Sequence, residues 1–193
     1  MSNSPYFGHP VEDWKAITAD LVKVHPLGGD ELRTLVTAGW NDVFASTIGE
    51  DGLKIGVDIF LKGQALGSFL HELIPRKFAK AYPSLWRPEV AVTDKDLVCI
   101  PDDKFSIELK TTSHPSNIPG NKSFAQSETP GKKLKDGYYL VVNYEKLEPG
   151  KVPGIKKIRF GWLDLSDWQG QSEDNGQGAN VKAIAKKHKL IEI

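Results

Sequence analysis

Apolar residues recur every three or four positions up to about residue 82, and every second position after Pro88. That change of period predicts helices first and strands afterwards. VEDWKAITADLVKV, from Val11, brings Val11, Trp14, Ile17, Leu21 and Val24 onto one helical face. Pro10 suits its start, and Pro26 with Gly28 and Gly29 stops it. Asp30 reads as the N-cap of a second helix, ELRTLVTAGWNDVFAST, with Leu32, Leu35, Val36, Trp40, Val43 and Phe44 inward and Gly39 out of character. GQALGSFLHELI predicts a third helix with Leu66, Phe69, Leu70, Leu73 and Ile74 inward; Pro75 either kinks it or opens a short helix, PRKFAKAY. Strands are expected at about 89–92, 96–100, 104–112, 138–144 and 155–163. HPSNIPGNKSFAQSETPGKK reads as a long polar loop with some local structure, and long loops in compact domains tend to be functional. SEDNGQG reads as a turn, ANVKAIAKKHK as a basic helix over 179–189, and LIEI as an edge strand.

The order predicts one α/β (α+β-like) layered domain over 1–193, a central mixed β-sheet flanked by helices. Its helical part spans about 10–82 and its sheet and chemical core about 89–165. No internal repeat or long linker divides it. The five tryptophans are expected in core or interface.

One stretch does not fit a plain core. DLVCIPDDKFSIELKTT, residues 96–112, is two apolar strands around a turn, with Asp96 before the first and Glu108 and Lys110 on the return. Centring the turn on Asp102 places Val98 opposite Ser106 and Asp96 opposite Glu108. One face is then uniformly apolar: Leu97, Cys99, Phe105, Ile107 and Leu109. The other carries Asp96, Val98, Ser106, Glu108 and Lys110, and any slip mixes acid with apolar on both faces. Opposed Cβ atoms lie about 4.5–5.5 Å apart. Two carboxylates that close repel unless one is protonated or a cation lies between them. Oxygen ligands favour Mg²⁺, which takes one or two carboxylates and keeps waters or phosphate oxygens. Lys110, two residues on and on the same face, reaches toward an attacking water or a phosphate, and the set suits phosphodiester hydrolysis. The alternative is an ion pair on a solvated face.

Asp96 with Glu108-Leu109-Lys110 resembles the PD-(D/E)xK motif of a nuclease superfamily, and the polar loop GNKSFAQ after ELKTT is similar to small type II restriction endonucleases. The resemblance spans residues 72–144 and is strongest over 96–112. It implies a restriction-endonuclease-like fold and cleavage of double-stranded DNA at a short palindrome, leaving 5′-phosphate and 3′-hydroxyl ends. It implies Mg²⁺ (Mn²⁺ a possible substitute), a homodimer, and a cognate DNA methyltransferase as functional companion. In that pattern Asp96, Glu108 and the Leu109 carbonyl hold metal, and Lys110 orients or activates water. The literal Pro101-Asp102 pair sits in the turn, six residues before Glu108; because the Asp of the resembled family commonly begins the first hairpin strand, the acid is assigned to Asp96, with Asp94 and Asp102 as competitors. Glu72 matches a helical acid that some members place near the metal; its alternative is a surface carboxylate. His71 reads as a surface or core histidine rather than a general base. Asn121, Lys122, Ser123, Gln126 and His114 are candidate DNA contacts, since Asn and Gln pair with adenine and Lys reaches guanine or phosphate. Lys132, Lys133, Lys135, Lys156, Lys157 and Arg159 fit backbone contacts.

Net charge is zero but unevenly spread: residues 1–103 hold 10 Lys and Arg against 15 Asp and Glu, and 104–193 hold 15 against 10. A basic half can face a polyanion, and a solvated surface explains it equally. The lone Cys99 excludes an intramolecular disulfide, and with no signal-peptide pattern or transmembrane run a reduced, cytoplasmic setting without membrane contact is expected. Two other readings remain open: a structure-specific nuclease such as a Holliday-junction resolvase, and a non-catalytic DNA-binding module on a dead nuclease fold.

Overall fold

The computed structural model describes residues 4–127, 131–151, 153–171 and 177–193. The α-helices among these residues are α1 (Trp14–Val24), α2 (Gly29–Ala45), α3 (Gly63–Ala81) and α4 (Ala183–His188). The strands are β1 (Thr47–Ile48), β2 (Leu53–Lys54), β3 (Trp86–Pro88), β4 (Leu97–Cys99), β5 (Ile107–Thr112), β6 (Pro119–Asn121), β7 (Gly137–Tyr144), β8 (Ile155–Leu163), β9 (Trp168–Gly170), β10 (Gly178–Val181) and β11 (Leu190–Glu192). A six-stranded sheet runs β11-β8-β7-β5-β4-β3, parallel only between β5 and β7, so the central sheet is mixed as expected.

Alternation along β7 explains the layers. Tyr138, Leu140, Val142 and Tyr144 face a core built with Leu32, Val36 and Trp40 of α2 and Leu66, Leu70, Ile74 and Phe78 of α3. Tyr139 and Val141 face a second core with Ile118, Phe124, Trp168, Val181 and Ala185, under a small sheet, β6-β10-β9, and α4. Gly39 has its reason here: a Cβ would lie 2.9 Å from Ile74 Cγ1, so α2 and α3 approach closely only because it has none.

Several sequence expectations are corrected. Residues 89–92 form no strand; β3 lies just before them, and Asp94 organises the loop by accepting from Val90 and Ala91 N–H and from Arg87. The α1 face is rotated: Val24 is exposed and Thr18 buried, its hydroxyl donating toward the Trp14 and His188 carbonyls. The α2 cap is Gly28, whose N–H donates to Glu31 at 2.9 Å, and Asp30 pairs with Arg33 instead. Pro75 lies inside α3, removing only the hydrogen bond to the His71 carbonyl, and Phe69 is exposed. The basic C-terminal segment is β10 followed by a shorter helix, α4. Trp40, Trp86 and Trp168 are buried as expected. Residues 172–176 of the expected SEDNGQG turn, and 128–130 of the long loop, lie outside the described residues. Among the described residues no helix is long and apolar enough to cross a membrane.

Candidate active site

Leu97 pairs with Ile107, the register that hydrophobicity selects. Leu97, Cys99, Ile107 and Leu109 enter the helical core, leaving Glu108 and Lys110 on the opposite face. Buried His25 fixes the turn from below. Its Nδ1 accepts from Leu27 N–H at 3.1 Å, which leaves Nε2 to donate to the Phe105 carbonyl at 3.0 Å. A single 3-10 turn, Asp103–Phe105, lies between the strands.

The acids meet as expected. Asp96 is 8% and Glu108 3% exposed, a costly burial unless compensated. Asp96 Oδ2 accepts Leu109 N–H at 2.6 Å. Lys110 Nζ donates to Glu108 Oε1 at 2.6 Å and lies 4.3 Å from the Phe124 ring centre. Lys133 Nζ stands 3.2 Å from Asp96 Oδ1, 3.2 Å from Glu108 Oε2 and 3.2 Å from Glu89 Oε2. No hydrogen bond aligned on Glu108 Oε2 is present among the described residues. His71 Nδ1 is 3.7 Å from Asp96 Oδ2.

Burial pushes the Asp96 carboxyl up, but the His71 contact and the Lys110 and Lys133 charges outweigh it and hold Asp96 well below the carboxylate range. Burial pulls the Lys133 ammonium down, and Glu108, Asp96 and Glu89 together drive it above the ordinary lysine value. Burial lowers Lys95 to about 8, Glu108 opposing and Lys133 and Lys110 adding to the fall. The Lys95 ammonium donates to the Leu134 carbonyl at 3.1 Å, and its stem crosses Gly137, where a Cβ would come 2.8 Å from Lys95 Cε.

Glu108 and Lys110 open on a cleft of about 450 Å³, also lined by Asn121, Ser123, Gln126 and Lys135 among others. Lys132 and Lys133 also line it. Asn121 Oδ1 accepts from Ser123 N–H at 3.1 Å and Ser123 Oγ at 2.5 Å, which spends its acceptor on the loop and leaves the amide N–H₂ to the cleft. Lys122 is exposed beside it and outside the lining. His114 Nδ1 accepts from Ser116 and Asn117 N–H, so its ring organises the loop. Glu72 pairs with Arg76 on the exposed face of α3, 68% exposed, and is not brought to the acids; His71, one residue earlier, is. Asp94 pairs with Arg87 and Asp102 with Lys104, so neither competitor reaches Glu108. Arg159 is buried and donates to Asn143 at 2.8 Å, which takes it out of the backbone contacts. Sequence reasoning missed Glu89 and the place of Lys133 among the acids, because packing far along the chain brings them there.

The donor set suits a divalent metal. Asp96 Oδ1 and Glu108 Oε2 both address one cation, the Lys133 ammonium, and both are hard oxygen donors. Among the described residues no three His, Cys, Asp and Glu side chains form a metal-holding group, so backbone, water or phosphate oxygens would complete the shell. Two carboxylates and such a remainder fit a Mg²⁺-like ion.

The model of the ScaI restriction endonuclease family matches residues 4–193. The type II restriction enzyme ScaI of Streptomyces caespitosus is 45% identical over 195 residues, taking in 100% of this chain and 85% of that enzyme. The chain belongs to the ScaI restriction endonuclease family. No solved structure matches it. Members of the ScaI restriction endonuclease family are site-specific deoxyribonucleases acting on double-stranded DNA, and so is this chain. Type II restriction endonucleases work with a divalent metal, which the Asp96–Glu108 donor set fits.

Proposed function

We propose that this endonuclease uses Mg²⁺, with Mn²⁺ as possible substitute, held by Asp96, Glu108 and the Leu109 carbonyl. One observation carries the reading: beside the Leu97–Ile107 pair, Asp96 and Glu108 address one and the same ammonium, and Lys110 is bound to Glu108 against a cleft. The Leu109 N–H donates toward Asp96, and a strand residue directs its N–H and C=O to the same neighbour, which supports its carbonyl as the third protein ligand. When bound, the ion would acidify the attacking water and neutralise charge on the phosphate.

The chain's own groups do the rest. Asp96 stays ionised, pinned by Leu109 N–H. Glu108 holds Lys110 at 2.6 Å, so the ammonium points into the cleft where it orients water and stabilises the charge developing on the phosphoryl oxygens. Water attacks phosphorus in line, the P–O3′ bond breaks, and the products are a 5′-phosphate and a 3′-hydroxyl once the leaving oxygen is protonated. Asn121, Ser123 and Gln126 line the same cleft and are proposed to contact bases, with Lys122 at its margin on phosphate. His114 is proposed to present its loop to DNA rather than contact bases through Nδ1. Glu72 is kept outside the metal site.

We further infer one nuclease domain, a homodimer acting on a palindrome, a cytoplasmic setting, and a cognate methyltransferase that protects host DNA. A two-fold dimer places two such sites on the two strands. The test is plasmid digestion with Mg²⁺. Discrete bands are expected from the native protein, and Asp96→Ala or Lys110→Ala should lower cleavage about 10³-fold or more while gel-shift binding survives. Full cleavage by either variant sinks the assignment.

A further inference from the structure

We propose that Lys133 is an exchange residue of the reaction, competing with the divalent cation for Asp96 and Glu108 and yielding them when DNA phosphate draws its ammonium away. This rests on the reading that Asp96 and Glu108 are the metal ligands.

The geometry differs from an ordinary ion pair. Charge-assisted N–H···O bonds are typically about 2.7–2.9 Å long. Lys133 Nζ instead stands 3.2 Å from each of three carboxylate oxygens, on Asp96, Glu108 and Glu89. Lys110, by contrast, makes a tight 2.6 Å bond to the other oxygen of Glu108. Lys133 is therefore shared by the field of three acids rather than committed to one. Glu108 Oε2, buried and facing it, accepts no aligned hydrogen bond among the described residues. That lone pair is open to a harder ligand.

Place in the chain supports exchange. Lys133 lies in the stretch 132–135, which lines the cleft, and its flexible four-carbon stem can carry the ammonium outward. A cation and an ammonium cannot both sit between Asp96 and Glu108. DNA supplies the replacement partner for the displaced ammonium, so DNA and metal binding become mutually favourable, by the same factor in each direction.

The full chain can be tested without DNA. Mn²⁺ binding is counted by loss of the free-ion electron paramagnetic resonance signal. Lys133→Met should bind Mn²⁺ about tenfold tighter than the native protein, because a positive charge beside both ligands is gone. It should also lose most of the tightening that duplex DNA gives the native protein. Equal or weaker Mn²⁺ binding by folded Lys133→Met overturns the proposal. Asp96→Asn separates the two ideas: if it leaves native Mn²⁺ binding unchanged, the ligand assignment falls and the inference with it. If it abolishes binding and Lys133→Met gains nothing, the inference alone falls. Should circular dichroism show Lys133→Met unfolded, Lys133→Gln replaces it, with the same tightening expected and equal or weaker Mn²⁺ binding refuting exchange.

Discussion

Asp96 and Glu108 are twelve positions apart, yet the strand alternation between them is enough to oppose them. A hairpin is a local object, so its two faces could be read from residues 96–112 alone, whereas the choice of Asp96 over Asp94 and Asp102 rested on the family resemblance. What surrounds the acids is not local. His71 comes from α3, Lys133 from the stretch before β7 and Glu89 from the loop after β3, and no spacing rule relates them to Glu108. On α3 the surface alternative for Glu72 is the one seen, beside Arg76, while His71 faces Asp96: helical neighbours differ by about 100° in direction, so the two cannot both face it. Two substitutions check this. Glu72→Gln should leave kcat/KM for plasmid cleavage within about twofold, as surface ion pairs contribute little. His71→Ala should lower it about 10- to 100-fold, the usual cost of losing a group that orients a ligand. Reversed effects would return Glu72 to the site.

At the scale of elements, period and composition found the central strands well: β7, β8 and β11 fall where alternation put them, and Pro and Gly bounded the helices. The second layer was not legible. β6, β9 and β10 are short, rich in Gly, Asn and Gln, and acquire strand character only by pairing with one another. Thr18 and His25 hid the true face of α1 because part of what satisfies their polarity, the His188 and Phe105 carbonyls, lies far along the chain. His25 has a measurable consequence. Burial lowers its pKa below the ordinary histidine value, despite the Phe105 carbonyl that accepts from its ring. The folded protein then binds fewer protons than the unfolded chain in that range. Its stabilising contribution is complete above the unfolded value of about 6.5 and is lost as pH falls from there toward the lowered folded value. Urea midpoints taken from pH 7.5 to 5.5 should decline, and His25→Gln should flatten that part of the decline. An equal decline in the variant would place the acid sensitivity elsewhere. Since His25 holds the Phe105 carbonyl, hydrogen exchange in the hairpin turn should rise over the same window.

For the molecule as a whole, zero net charge conceals an organised field. The excess of positive charge lies in residues 104–193, and the fold gathers Lys110, Lys132, Lys133 and Lys135 at one cleft, where two buried acids need them. Lys110 and Lys133 face Glu108 and Asp96, so their charge is largely taken up inside the site. Lys132 and Lys135 line the cleft with no carboxylate partner among the described residues, and burial lowers the Lys135 pKa with Glu108 opposing, so a phosphate arriving there would favour its charged form. On this basis the net charge says nothing about DNA affinity and the salt dependence should say a great deal. Binding of a cognate duplex, held uncleaved in Ca²⁺, should weaken linearly in log–log form as salt rises, because each neutralised phosphate releases counterions. Lys132→Gln and Lys135→Gln should each make that slope shallower by about 0.9. Lys15, exposed on α1 across the sheet from the cleft, is the control, and Lys15→Gln should leave the slope unchanged. If Lys15→Gln flattens the slope while the two cleft variants do not, DNA runs along the helical layer and Lys110 cannot be the group that meets its phosphate.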